Sequence, residues 1–144
     1  MESPEQPSKK EKGVVNALQS KEGLEPTIQI LKEVSEHFHS LDEEARVFLY
    51  EKKDSKGYSE KLKERARLLV DLPNRLASTL GSLDSETRKY VVDQTSDFAA
   101  MAQESLKNEN EFGLGVLLTH MGAKTGEKNY LEKLIESLNS KQTL

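Results

Sequence analysis

Apolar residues recur every three or four positions along most of this chain, and that spacing limits what it can fold into. The pattern starts with Ile28, Leu31 and Val34 and continues to Leu138. Residues three or four apart lie on one face of an α-helix, whereas a half-buried strand alternates every second residue. The sequence contains no sustained alternation of period two. The pattern therefore predicts an all-α protein.

Composition and length agree with a small helical protein. Leucine dominates the apolar residues, which make up 35% of the chain, and aromatic residues make up only 6%. This composition is typical of thin layers of helices rather than of a thick sheet core. A length of 144 residues predicts one domain with a modest core.

Breaks in the pattern divide the chain into six or seven short helices. They fall at a turn at His39–Ser40, the polar run 52–57, Pro73, Gly81 and the glycines of 122–126. Because the connections are short, neighbouring helices are expected to pack as antiparallel hairpins, in a helical bundle or a short HEAT-like array. The expected helices lie at about 26–38, 40–51, 59–72, 76–80, 84–107, 112–121 and 130–138. The helix at 112–121 is rich in apolar residues and is expected to be the most central one.

The first 23 residues have a different character. They contain two prolines, two glycines and many charges, which predicts a disordered tail over residues 1–23 before a single helical domain over residues 24–144. This segment lacks the apolar stretch of a signal peptide. No apolar run in the chain approaches the length of a membrane span. We therefore expect a soluble, cytoplasmic protein that does not span a membrane.

One phrase occurs twice. SLDEEARVF at residues 40–48 and SLDSETRKY at residues 82–90 share five of nine residues and start 42 residues apart. Both fit a helix start: Ser40 and Glu43 predict a capping box, and Ser82 or Asp84 predicts an N-cap. In each copy an aspartate precedes an arginine by four residues, a favourable pair on a helix.

The doubled phrase has two explanations. The similarity extends upstream at the same offset, from Ile30, Val34 and Phe38 to Leu72, Leu76 and Leu80. If the similarity reflects a true repeat, the repeated unit is a helical hairpin of 42 residues. This length is within the range of HEAT-like and armadillo-like repeats. The alternative is that two unrelated helices use the same common capping sequence. Packing of hairpins 30–50 and 72–92 in different geometries would exclude a repeat.

Residues suited to catalysis or metal binding are few. The chain has no cysteine, so disulfides, thiolate nucleophiles and cysteine-bound zinc are excluded. Glu36 and His39 form one E-x-x-H unit, but the di-iron bundles that use this unit need a second copy, which His120 does not provide. We expect no metal site, no cofactor and no enzymatic activity.

A cluster of positive side chains on the third predicted helix supplies one candidate surface. It could hold phosphates, with Tyr58 stacking on a base, although acidic residues lie among the basic ones and the chain carries a net charge of −4. The candidate nucleic-acid-binding residues are Lys53, Lys56, Tyr58, Lys61, Lys63, Arg65 and Arg67.

Apolar residues near the C-terminus supply the other candidate surface. If the core does not need all of this apolar surface, the excess could bind a partner or a second copy of the chain. The candidate partner-binding residues are Phe112, Leu131, Leu134 and Leu138. Ordinary core packing is the alternative for them. The function we expect is a non-enzymatic interaction or adaptor domain that binds another protein through a helical face or an inter-hairpin groove. A nucleic-acid-associated protein that uses the basic helix at 52–67 is the alternative.

Overall fold

The computed structural model describes the backbone of residues 9–119, 124 and 126–142, and the side chains of residues 24–119, 124 and 126–141. Within these ranges every regular element is helical, which confirms the all-α prediction. The elements are α1 (Lys9–Arg46), a π-helical turn (Val47–Glu51), α2 (Ser55–Leu80), α3 (Ser85–Lys107), α4 (Glu111–Gly115) and α5 (Tyr130–Gln142).

Five α-helices in the described ranges replace the six or seven that were predicted, because two predicted breaks are wrong. α1 passes through His39–Ser40, and α2 passes through Pro73. Leu41 and Ala45 continue the buried face of α1 beyond the predicted turn. Leu69, Leu72 and Leu76 are fully buried on both sides of Pro73. Burial of a continuous apolar face outweighs the helix-breaking tendency of one proline, which costs about 3 kcal/mol.

The predicted helix at 112–121 is also wrong. α4 ends at Gly115, and Leu118 adopts a left-handed backbone with φ 67° that no α-helix contains. Residues 120 and 121 lie outside the described residues. Leu114, Leu117 and Leu118 are buried, whereas Phe112 and Val116 are exposed, so α4 lies at the edge of the core rather than at its centre.

Paired side chains show that α1 and α2 form an antiparallel hairpin. Thr27 donates a hydrogen bond to Thr79 over 2.7 Å, Arg75 contacts Glu33 at 3.3 Å, and Lys61 contacts Glu44 at 2.7 Å. In these three pairs the residue number of the α1 partner rises while that of the α2 partner falls. The two helices therefore run in opposite directions. The pair holds the whole C-terminal half of α1 against α2.

α3 and α5 complete a single hydrophobic core. α3 returns along α2 after a short turn at residues 81–84, and α5 packs against α1. Tyr90 of α3 donates to Ser137 of α5 over 3.4 Å. The completely buried residues of this core include Leu31, Leu69, Leu72, Leu76, Leu131 and Leu138. None of the helices described is both long and apolar enough to cross a lipid bilayer.

The N-terminal prediction remains a prediction. α1 begins at Lys9, within the segment expected to be a tail, and no side chain before Leu24 is described. Both the disordered tail over residues 1–23 and the single domain over residues 24–144 are untested.

Candidate functional site

A polar cleft of about 540 Å³ lies between the α1–α2 hairpin and the chain that connects α4 to α5. Its lining includes His39, Asp42 and Arg46 from α1, Arg65 from α2, Thr119 from the connection and Glu132 from α5. These residues come from four separate parts of the sequence. The size lies within the range of protein ligand sites.

Arg65 forms the floor of the cleft and links three parts of the structure. Its side chain is 5% exposed. One terminal nitrogen donates to the Asp42 carboxylate of α1 over 2.9 Å. The other donates to the backbone carbonyls of Leu114, at 2.8 Å, and Gly115, at 3.4 Å. These carbonyls end α4 and lack partners within that short helix, so Arg65 caps α4 while holding α1.

The positive charge of Arg65 is incompletely compensated. Burial lowers the pKa of Arg65 below its ordinary value, and the nearby Asp42 carboxylate opposes that shift. The guanidinium also lies over the Phe38 ring, with 4.4 Å from its central carbon to the ring centre. Among the described side chains, the Arg65 Nε–H is a buried donor without an acceptor. Such groups are rare in proteins, and each requires a physical explanation.

Backbone turns fix the opposite wall of the cleft. The left-handed conformation of Leu118 reverses the chain after α4, and its carbonyl accepts the Tyr130 N–H over 2.8 Å. Asn129 and Glu132 then form a reciprocal capping box in which each side chain accepts the other residue's N–H over 2.8 Å. These bonds hold the start of α5, and with it Glu132, at the edge of the cleft.

A second cavity, of about 280 Å³, lies on the other side of a contact between α1 and α5. His39 Nε2 and Glu132 Oε2 are 3.1 Å apart, and both residues line both cavities. Lys32, Glu36 and Ile135 border the smaller one. Although Glu36 and His39 of the E-x-x-H unit meet there, the described residues contain no group of three ligands suited to a metal ion. The two cavities follow one side of α1 from Arg46 to Lys32.

The predicted nucleic-acid-binding residues fall into three groups in the structure: buried or half-buried, ion-paired, and exposed. Arg65 is buried, and Tyr58 is half-buried against the core. Lys61 contacts Glu44 and Glu64, at 2.7 and 3.4 Å, and Lys63 contacts Glu60 at 3.4 Å. The hydrogen bond from Lys61 lowers the pKa of Glu44 and raises that of Lys61. Lys53, Lys56 and Arg67 are exposed, so the nucleic-acid interpretation has to rest on these three.

The predicted partner-binding residues also divide. Leu131, Leu134 and Leu138 are core residues of α5, each at most 1% exposed. Phe112 is 77% exposed, and Val116, one helical turn later, is 40% exposed. Phe112 is therefore the exposed member of that set, and with Val116, which was not predicted, it forms an apolar pair on the segment that also brings Gly115 into the cleft.

Sequence reasoning missed the cleft because its lining is dispersed along the chain. One local signal was present. Arg65 lies three residues after Leu62 and four before Leu69, on the inward face of α2. A charged residue on an apolar helical face indicates a buried ion pair, and Asp42 is the partner that the antiparallel register supplies.

No protein-family model matches this chain, and neither a curated protein nor a solved structure matches it.

Proposed function

We propose that this chain is a non-enzymatic interaction module that binds a segment of another protein in the cleft above Arg65. The observation that carries the proposal is that the lining side chains are already fixed by bonds within the protein. Arg65 is held by Asp42 and two carbonyls, and Glu132 is held by its capping box. A cleft that is formed before binding loses little conformational entropy when a partner enters.

The non-enzymatic part of the proposal follows from how the polar groups are used. Both oxygens of Asp42 contact arginines, with Arg46 at 3.4 Å and Arg65 at 2.9 Å. The Thr119 hydroxyl donates to the Leu117 carbonyl over 3.3 Å. Each of these side chains therefore bonds to another group of the protein itself. A nucleophile activated by a neighbouring base would require a different arrangement.

The apolar pair Phe112 and Val116 supplies a second contact for the same partner. Exposed phenylalanine beside a polar cleft is typical of interaction surfaces, where one aromatic anchor supplies much of the binding energy. Because Gly115 lies between these residues and lines the cleft, one bound segment reaches both regions. This arrangement retains Phe112 from the predicted partner-binding set and assigns the α5 leucines to the core.

Photo-crosslinking tests the proposal. A photoreactive amino acid at Thr119, exposed in the cleft lining, is compared with one at Ser96, exposed on α3. Each variant is irradiated in an extract of the native cells. We expect a discrete protein adduct from position 119 that is absent from position 96 and from a position-119 variant carrying Phe112→Ser.

The other outcomes contradict the proposal in distinct ways. Equal adducts from both positions, or none from position 119, would show that the cleft does not bind a partner. An adduct with the mass of a second copy of this chain would indicate self-association instead. An adduct that disappears after nuclease treatment would favour the nucleic-acid alternative through Lys53, Lys56 and Arg67.

A further inference from the structure

We infer that the segment bound in the cleft is an extended peptide that places an acidic side chain beside Arg46 and Arg65. The inference rests on the proposed function, because it specifies the chemistry of the partner at the same cleft. It draws on three observations: the charge around Asp42, the unpartnered donor of Arg65 and the length of the groove.

The charge around Asp42 is unbalanced. One carboxylate contacts two guanidinium groups, with Oδ1 on Arg65 and Oδ2 on Arg46. The remaining hydrogen bonds of Arg65 go to uncharged carbonyls. Two positive charges therefore share one negative charge, and Arg46 is largely exposed at the cleft. A second carboxylate would complete the set and offset the cost of burying Arg65.

The unpartnered Nε–H is an independent sign of a missing acceptor. The Nε nitrogen is buried and makes no hydrogen bond to a described residue. The two terminal nitrogens of the guanidinium make the bonds to Asp42 and to the Leu114 carbonyl. Because this atom is enclosed in the described structure, a partner's acceptor satisfies it only when the Arg65 side chain shifts on binding. Arginine clusters recognise acidic motifs through such charge-assisted hydrogen bonds.

Other carboxylates in the lining oppose an anion to different degrees. Glu132 accepts the Asn129 N–H over 2.8 Å, and Glu127 accepts the Lys124 N–H over 2.9 Å, so both serve as turn and helix caps. Glu43 is exposed on α1 and also lines the cleft. It adds a repulsive charge whose removal should strengthen the binding of an acidic segment.

The length of the groove favours an extended peptide over a small anion. The two cavities share His39 and Glu132 and follow α1 from Arg46 to Lys32. Fourteen helical positions span about 21 Å, the length of about six residues of extended chain. The carboxylate beside Arg46 and Arg65 lies at one end of this path, and the peptides of the test distinguish an acidic side chain there from a chain terminus.

The test uses minimal peptides and the side-chain resonance of Arg65. An acetylated and amidated peptide with one glutamate between glycines is titrated into isotopically labelled protein, and its glutamine counterpart serves as the control. A third peptide of glycines alone, with a free C-terminal carboxylate, represents a chain terminus. We expect a saturable shift of the Arg65 Nε–H and of the Leu117 and Thr119 amides with the glutamate peptide only.

Two charge variants make the test quantitative. Arg46→Gln should weaken binding of the glutamate peptide by about two- to fivefold, and Glu43→Gln should tighten it by a similar factor, because each removes one exposed charge. Arg75→Gln is the matched control, since Arg75 forms one surface pair with Glu33 and does not line the cleft. It should leave binding unchanged.

Three results would overturn the inference. They are no saturable shift with the glutamate peptide, equal shifts with the glutamine peptide, and binding of the free terminus alone. The crosslink from position 119 separates this failure from failure of the proposed function. A partner still captured there, with no binding of the glutamate peptide, would reject the acidic segment and leave the interaction module intact.

Discussion

Residues 40–48 and residues 82–90 carry nearly the same sequence, yet they occupy different local structures. The first lies inside α1 and the turn that follows it, without any break at Ser40. The second runs from a turn into α3, where the Asp84 side chain accepts the Thr87 N–H over 2.7 Å as an N-cap. A sequence that is compatible with a helix start does not by itself start a helix.

The residues before the phrase account for the difference. In both copies the apolar spacing would permit a continuous helix, and Leu41 and Leu83 are equally buried. Gly81 stands where the first copy has His39. Glycine costs about 1 kcal/mol relative to alanine inside a helix, so α2 ends more readily there. The Arg88 side chain then donates to the carbonyls of Leu80 and Leu83, at 3.0 and 2.9 Å, which secures the turn.

The two equivalent aspartates acquire different roles from these structures. Asp84 caps α3, whereas Asp42 lies in the middle of α1 and pairs with the buried Arg65. The 42-residue helical hairpin repeat is therefore absent, because the first copy contains no turn at His39–Ser40. Substitutions at matched positions of the two copies should separate these roles.

The largest effect is expected from Asp42→Ala. It leaves the buried Arg65 without its carboxylate, which should lower the free energy of unfolding by about 2–3 kcal/mol. Chemical denaturation measures this change. Glu44→Gln, which removes a neighbouring surface carboxylate, is the control and should change stability little. A loss no greater than that of the control would show that Asp42 does not support Arg65.

Asp84→Ala should have a smaller effect. Loss of an N-cap typically costs about 1 kcal/mol, and the bond from Asp84 goes to a backbone N–H rather than to a buried arginine. The same denaturation experiment applies, with Asp93→Ala on the exposed face of α3 as the control. A loss equal to that of Asp42→Ala would mean that the two aspartates act alike after all.

Gly81→Ala should stabilise the protein slightly. Gly81 has an ordinary helical backbone, φ −61° and ψ −23°, with no atom within 4 Å of an added Cβ. The gain, about 0.4–1 kcal/mol, comes from a less flexible unfolded chain. Gly57→Ala is the opposite control, because its Cβ would lie 2.4 Å from the Phe48 ring. Destabilisation by Gly81→Ala would show that the turn requires glycine itself.

Ser40→Ala should change the free energy of unfolding by less than about 0.5 kcal/mol. Ser40 is exposed within α1, and its hydroxyl makes only a minor contribution to the lowered pKa of Glu44, which Lys61 dominates. Ser82→Ala is the matched change in the other copy. A loss near 1 kcal/mol at Ser40 would restore the predicted capping box and contradict a continuous α1.

Periodicity predicted the long helices, but it did not predict all of their ends and it extended α4 too far. It placed the buried faces of α2 and α5 correctly, as Leu62, Leu69 and Leu134 show. It could not tell whether Pro73 or Ser40 interrupts a helix, because tertiary burial on both sides decides that. The spacing from Phe38 to Leu41 and Ala45 contained the answer, since it continues the α1 face without a gap.

The candidate site was less predictable than the fold. Its polar residues come together only after α1 and α2 pair and the chain reverses at Leu118. A left-handed leucine leaves no pattern in the sequence. The capping box of Asn129 and Glu132 does leave one, but the similar sequences at 40–48 and 82–90 are a stronger signal. The basic residues on α2 looked equivalent in the sequence, although the structure buries Arg65 and leaves Arg67 exposed.

The contact between α1 and α5 has a consequence for how the protein is made. His39 and Glu132 lie 93 residues apart, so a ribosome needs about 5–20 s to produce the second after the first. Both α1 and α2 are complete well before α5 is synthesised, and until then the face of α1 that α5 covers is open to water. Packing of α5 against α1 then removes this apolar surface from water.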